Sequence, residues 1–497
     1  MGREWSYSWL FIWWLHHFNP RFAKHAQCDI CSELKALQRA AKDPKEKVRL
    51  ALLLVEHQDA QQRDRHCYYK ARELGRRGLV LCVMQDGSDQ ERCRVIRVCR
   101  SPKELEESGP CPRLKLVGSL IHGVVGCFHV LDEDMPRDAQ TTVELLFTSI
   151  EEARRELESK GKSLPPELWL QLDNTPAENK NQTVFSAVAA LVAKGIFESA
   201  SIAFLRKGHT HEDLDGLWGV NSSELDHVTT WDHPGDILAH TQRVMSRTLG
   251  NVKVITRKLD FIRSWNSWRE GLGVTGFPGI TGKGSPHWYH FSLRKSVPNA
   301  LLHRVAPEAR AGSPNDVMLE VKEFMADSDL SQDIIVAVPA EKASLIPVAP
   351  HTVVPRHVIC SKLRGKLATF CTRLLRHFPD KTAAAAYIRE WMDRTDTSAL
   401  NRPLELRFLA GASAGGVGSA RCVATEVAQQ CAYPVKVVSV TRSEERAARR
   451  GSTRERASGL PPLPFAEYVA QRVAQGALEE TARKEWNGLV IIGSAGT

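Results

Sequence analysis

The stretch that decides the fold is LWLQLDNTPAENKN, residues 168–181: six residues with the look of a buried strand that stop on an aspartate, then a turn-forming run rich in Asn and Pro. A second stretch, FLRKGHTHEDLDGLWG at 204–219, ends another strand and opens a helix. It sets two histidines and three acids within the seven residues from His209 to Asp215. Carboxylates gathered at strand ends and at a helix start repel one another unless a cation lies between them. The two stretches therefore raise the question of a shared metal ion.

Working outward, GLVLCVMQD (78–86) reads as a strand ending on Asp86, CRVIRVC (93–99) as a second, and LKLVGSLIHGVVGCFHVLD (114–132) as a third and longer one. TTVELLFTSIEEARRELESKGK (141–162) is helical, with Leu145, Leu146, Ile150 and Ala153 at helical spacing. Then come the strand 168–173, an apolar helix at 183–197, the strand 199–208 and the helix opened by HTHEDLDGLWGV. The order β-β-β-α-β-α-β-α is that of an α/β, ribonuclease H-like mixed sheet with helices on both faces. If strands 78–86 and 168–173 are parallel neighbours, Asp86 and Asp173 emerge at one sheet edge. Asp215, four residues after His211 on the same helix face, is the expected third acid, and His211 is expected to orient a phosphate or a metal-bound water. Leu214, Leu217 and Trp218 supply the face that packs on the sheet. Asp213 and Glu212 have structural explanations, a capping-box-like place after Thr210 and the first-turn helix dipole, though which of the three acids completes the set stays open. Oxygen ligands of this kind suit Mg²⁺ or Mn²⁺, and two such ions would serve phosphodiester cleavage or strand transfer. Asn174, Glu178, Asn179 and Lys180 are candidates for substrate contacts, as is His209. Capping is the competing role for Asn179 and Asn181.

The N-terminal HAQCDIC (25–31) carries a C-x2-C, and His25, Cys28, Cys31 and His57 form a candidate zinc set, with His66 or Cys67 as alternative ligands. From Ser32 to Gly78 the composition is that of helices. The apolar part of WSYSWLFIWWLHHF, Trp9 to Leu15, is too short to span a bilayer and is followed by no small-residue cleavage site, so it reads as a buried aromatic element. The twelve cysteines are scattered over 497 residues, which excludes a disulfide scaffold and points to a reducing, intracellular compartment. The formal charge of +9 is compatible with a nucleic-acid partner and does not require one.

The motifs also resemble a family. DN…ENKN followed by GHTHED-like residues, an upstream DGSDQ at 86–90 and HAQCDIC resemble a group of transposon-derived proteins with a DDE-transposase-like, ribonuclease H-like core, over about residues 5–295. The resemblance implies nuclease or strand-transfer chemistry carried by Asp86, Asp173 and Asp215, or an inactive descendant of it. It also implies DNA as partner, a nuclear location, no membrane, and possible homo-oligomers. Arg206-Lys207 before Gly208 and Ala177 before ENKN depart from the pattern.

The domains expected are a helical, zinc-bearing region at 1–76, the ribonuclease H-like core at 77–222, a Trp-rich extension at 223–300, a linker and basic helical region at 301–402, and an α/β module at 403–497. That last module reads as strand, Gly-rich loop, helix, strand and looks like part of a flavodoxin. Ser413, Gly415, Gly416, Gly418 and Ser419 would cradle the phosphate of FMN or a nucleotide. A flavin- or nucleotide-binding redox protein is thus the alternative function.

Overall fold

The computed structural model describes residues 28–393 except 89–92, 94–101, 107–112, 207–212, 229, 272–276, 278–279, 281–284, 344–349, 351, 353 and 356–360. The expected strand at 93–99 apart from Cys93, the aromatic N-terminal segment, His25 and the whole 403–497 module with its candidate flavin loop lie outside the described residues, as do His209, Thr210, His211 and Glu212. The chain divides into two units, Met1–Asp59 with Lys207–His209 and Ser439–Thr497, and Ala60–Arg206 with Thr210–Val438.

In the first unit, helix α1 (Asp29–Ala40) and the N-terminal part of helix α2 (Pro44–Arg76) are joined by three residues. The division falls inside α2 after Asp59, not at its C-terminal end near residue 76. The reason is burial: Cys67, Tyr68 and Ala71, in the last turns of α2, belong to a core of the second unit.

The second unit is a mixed α/β fold around one nine-stranded sheet. Its strands are β1 (Leu81–Gly87), β2 (Lys115–Ile121), β3 (Val125–Leu131), β4 (Glu167–Leu172), β5 (Ser199–Phe204), β6 (Lys253–Lys258), β7 (Trp288–Leu293), β8 (Val317–Lys322) and β9 (Ile335–Val338), in the spatial order β6-β3-β2-β1-β4-β5-β7-β8-β9. β1–β2 and β2–β3 are antiparallel, whereas β1–β4 and β4–β5 are parallel. The parallel pairs are reached through helices α3 (Ala139–Ser159) and α4 (Gln182–Ala193). Every residue of β2, β3, β4 and β5 is buried, as expected of strands covered on both faces. On one face lie α3 and α4. On the other lie the end of α2 and helices α5 (Asp213–Leu225), α6 (Pro234–Leu249), α7 (Ser361–His377) and α8 (Thr382–Asp393).

Two readings change. The run 114–132 is not one long strand but a hairpin, because Gly123 takes φ +76 and turns the chain between β2 and β3. Residues 317–338 are not a linker: β8 and β9 extend the sheet beyond β7, while β6 pairs with β3 and β7 with β5 within the stretch read as an extension of the core. The tryptophans at 265, 268 and 288 are buried in this fold, and Glu144 of α3 binds the side chain of Arg263 and the indole N–H of Trp265.

The hairpin turn gives a direct test. A Cβ at Gly123 would lie 2.7 Å from the Arg76 Cα in a left-handed backbone, so Gly123→Ala should destabilise the fold by about 1–3 kcal/mol. Gly219 in α5 has open space around its Cβ position, so Gly219→Ala should be neutral or stabilising by up to ~1 kcal/mol. Thermal melts of the two variants should therefore move in opposite directions.

Candidate functional site

β1 and β4 run side by side with Met84 opposite Gln171. Two residues further along each come Asp86 and Asp173. Alternation puts both on one face, since Met84 and Trp169 share the core beneath α5. Across β1 on the other side, Asp86 is paired with Gly118 of β2. A Cβ there would meet Trp218 at 2.9 Å and Leu214 at 3.1 Å, so the absence of a side chain lets α5 lie close against the strand. Asp215 follows Leu214 and is carried on that helix.

The three acids act on one another. Burial raises the pKa of Asp86 to about 7, the negative charge of Asp215 adds to it, the Gly87 N–H opposes it, and Asp173 and Glu178 raise it further. Asp173 is held by its own turn: Thr175 Oγ1 donates to it at 2.5 Å, and the Asn179 amide donates to the same oxygen. Asn179 in turn accepts from Thr142 Oγ1 of α3 at 3.2 Å. A cavity of about 200 Å³ opens beside this turn, its wall including Asp86, Ser88, Lys115, Thr142, Asp173 and Glu178.

The residues proposed for substrate contact separate. Asn179 orients Asp173 and caps nothing, whereas Asn181 is the cap of α4, accepting from the Thr183 and Val184 N–H groups at 3.1 Å each. Glu178 faces the cavity, bound to Lys115 Nζ at 3.0 Å. Asn174 lies 3.2 Å from His287 Nε2, whose imidazole is kept neutral: burial, then Lys180 and Arg206, lower its pKa to about 4. Lys180 is not available to a phosphate. It is fully buried, donates to Ser285 Oγ at 2.8 Å and to the Pro286 carbonyl at 2.5 Å, and sits over the Phe204 ring. Burial lowers its pKa to about 8.

Asp213 has a tertiary role that no capping argument foresaw. It accepts from Tyr68 Oη at 2.8 Å and from Arg72 Nη1 at 2.7 Å, both on α2, and lies 3.6 Å from His122 in the β2–β3 turn. Burial opposes its ionisation, but Arg72 and Tyr68 outweigh it and hold the carboxyl below its usual range. The effect is to tie the start of α5 to α2 and to the hairpin. Arg206, one of the departures from the motif, is likewise engaged, with Asp64 Oδ2 at 2.6 Å and stacked on Phe324. Lys115, Tyr68, Arg72, His122 and His287 were not singled out by the sequence. Gly118 carried a usable signal, since a glycine inside an apolar strand marks close approach of another element.

In the first unit, Cys28 at the start of α1, Cys31 one turn on and His57 of α2 bring their ligand atoms within 4.8 Å of one another, with Cys28 Sγ 3.2 Å from His57 Nε2. A tetrahedral zinc ion needs ligand atoms roughly 3.5–3.8 Å apart, so this Cys2His group, with both thiols buried and His57 half-buried, fits zinc. His66 and Cys67, the alternative ligands, belong to the second unit, where Cys67 is core.

A family model described as a domain of unknown function, DUF7869, matches residues 111–298, less than half of the chain, and so spans β2 to β7 with Asp173 and Asp215. No curated protein and no solved structure matches the chain. No helix among the described residues is long and apolar enough to cross a membrane.

Metal analysis of the purified chain should find about one zinc per molecule, lost in the Cys28→Ser/Cys31→Ser variant together with helical signal and thermal stability. A chain free of zinc that melts at the same temperature as the double variant would remove the site.

Proposed function

We propose that the second unit is a ribonuclease H-like catalytic domain of the DDE-transposase type, cleaving or joining DNA phosphodiesters with Mg²⁺ or Mn²⁺. One observation carries this reading: the parallel pairing of β1 with β4 brings Asp86 and Asp173 side by side at the strand ends, where burial first, then the charge of Asp215, with smaller effects from Asp173 and Glu178, raise the pKa of the half-buried Asp86 to about 7. A site that is costly to ionise without a cation is suited to one, and hard oxygen ligands that leave room for water and phosphate oxygens favour these ions. Three antiparallel strands before the first crossover helix, followed by two parallel α/β units, support the fold assignment.

In this reading Asp86 and Asp173 from the sheet edge and Asp215 from α5 hold the metal. The bound cations would supply Lewis acidity at the phosphate. The chain's own part is geometric. Thr175 and Asn179 fix the Asp173 carboxylate, Gly118 admits α5, and the bonds of Tyr68 and Arg72 to Asp213 set the height of Asp215. The Cys2His group would order the N-terminal helices, in a region suited to gripping DNA. Work on DNA implies a nuclear location.

Plasmid nicking by the full chain tests this. Nicking should need Mg²⁺ or Mn²⁺ and should fall by at least ~100-fold in Asp173→Asn, while salt-sensitive DNA binding persists. Failure of the wild type to nick with either ion, or equal nicking by the variant, would overturn the enzymatic reading.

A further inference from the structure

Lys115 is the side chain on which the cavity turns. It stands at the first position of β2, is 6% exposed, and brings an ammonium into a wall that includes Asp86, Asp173 and Glu178. A lysine is rarely buried to this degree unless its charge has a task or a partner. Its partner here, Glu178 at 3.0 Å, is much the more exposed of the two, with 40% of its side chain accessible against 7% for Lys115. Glu178 belongs to the turn that follows β4, and that turn is otherwise occupied in fixing Asp173. The pair is therefore formed between a rigid strand position and the open rim of the cavity.

Position on the sheet adds to this. In β2 the side chains alternate, Leu116 and Leu120 going to the core beneath α5, Val117 and Ile121 to the core beneath α3 and α4. Lys115, two residues before Val117, shares its side of the strand and enters from the α3 side. Asp215 comes from the opposite side, on α5. A cation held by Asp86, Asp173 and Asp215 at the strand ends would have Lys115 across from Asp215, on the side where the cavity is open. Among the described residues, two other basic side chains of these motifs are committed elsewhere: Lys180 to Ser285 Oγ and the Pro286 carbonyl, and Arg206 to Asp64.

We propose that Lys115 is the phosphate-binding residue of the site, held by Glu178 until a DNA phosphodiester takes the carboxylate's place. This rests on the catalytic reading above. An ammonium exchanging one anionic oxygen for another changes partner without being desolvated anew, which keeps the exchange inexpensive, and lysine serves phosphate as a compact point charge. Glu178 then acts as a competitor of the substrate rather than as a helper.

That competition gives the two partners opposite signs. With the full chain, a fluorescein-labelled DNA oligonucleotide and Ca²⁺ to support binding without turnover, Lys115→Met should weaken binding by roughly tenfold and lower the salt slope by about one phosphate contact. Lys115→Arg should restore most of the affinity. Glu178→Gln, which releases the ammonium, should tighten binding several-fold. A purely structural ion pair predicts instead that Lys115→Met and Glu178→Gln both lower the melting temperature and leave the salt slope alike, and that result overturns the proposal. Melts of each variant identify misfolding, and Lys115→Arg carries the test if Lys115→Met does not fold: a roughly tenfold loss of affinity in a folded arginine variant would also count against it. Mn²⁺ uptake by the wild type separates the two levels. With no uptake, the catalytic reading falls and the role of Lys115 with it. With uptake but an unchanged salt slope in Lys115→Met, only the role of Lys115 falls.

Discussion

The structure depends on one adjacency, the parallel pairing of β1 with β4. It places two half-buried aspartates side by side at the ends of covered strands, where each ionised carboxylate raises the cost of the next. Much of the second unit can be understood as holding that unfavourable arrangement in place. The turn after β4 donates two hydrogen bonds to Asp173. Gly118 lets Leu214 and Trp218 close over β2, and the Tyr68, Arg72 and His122 cluster fixes Asp213. None of these contacts neutralises Asp86. They make the site rigid and leave its charge for something else.

Cations near the site divide accordingly. Arg72, Arg206 and Arg263 each meet a carboxylate of the scaffold, and Lys180 meets backbone carbonyls and aromatic faces. These are packing devices, and Lys180 was open to misreading as a substrate contact because sequence shows a charge without its direction. ENKN looks like a polar loop ready for phosphate. In the fold its Asn179 turns to Asp173 at the cavity wall, its Lys180 turns into the core, its Asn181 starts a helix, and Glu178 reaches the cavity with its carboxylate on Lys115.

Much of the central architecture was legible because its strands are long, apolar and covered on both faces, and because each ends where an acid or a turn residue interrupts it. The hairpin at 122–124 was not, since β2 and β3 have the same buried composition and only the backbone of Gly123 separates them. β8 escaped notice because VMLEVK is short and carries two charges, Glu320 and Lys322, that are nevertheless buried. For the site, Asp86 and Asp173 could be read from strand ends, and the register of β1 and β4 is what puts them together. Asp213 could not be sorted from Asp215 by spacing: what distinguishes them is a helix 140 residues earlier in the chain that claims the first.

Proton release on metal binding reaches the central claim most directly. The folded chain binds the Asp86 proton more tightly than the unfolded chain does, so folding stability falls as pH rises from the ordinary carboxyl range toward about 7, and a cation at the site must displace that proton. Calorimetric titration with Mn²⁺ in buffers of different ionisation enthalpy should show a proton released from the wild type below pH 7, declining to none above about pH 8. Asp86→Asn should bind weakly and release none. Absence of Mn²⁺ binding by the wild type, or binding with the same proton count in Asp86→Asn, would contradict a metal site built on these carboxylates.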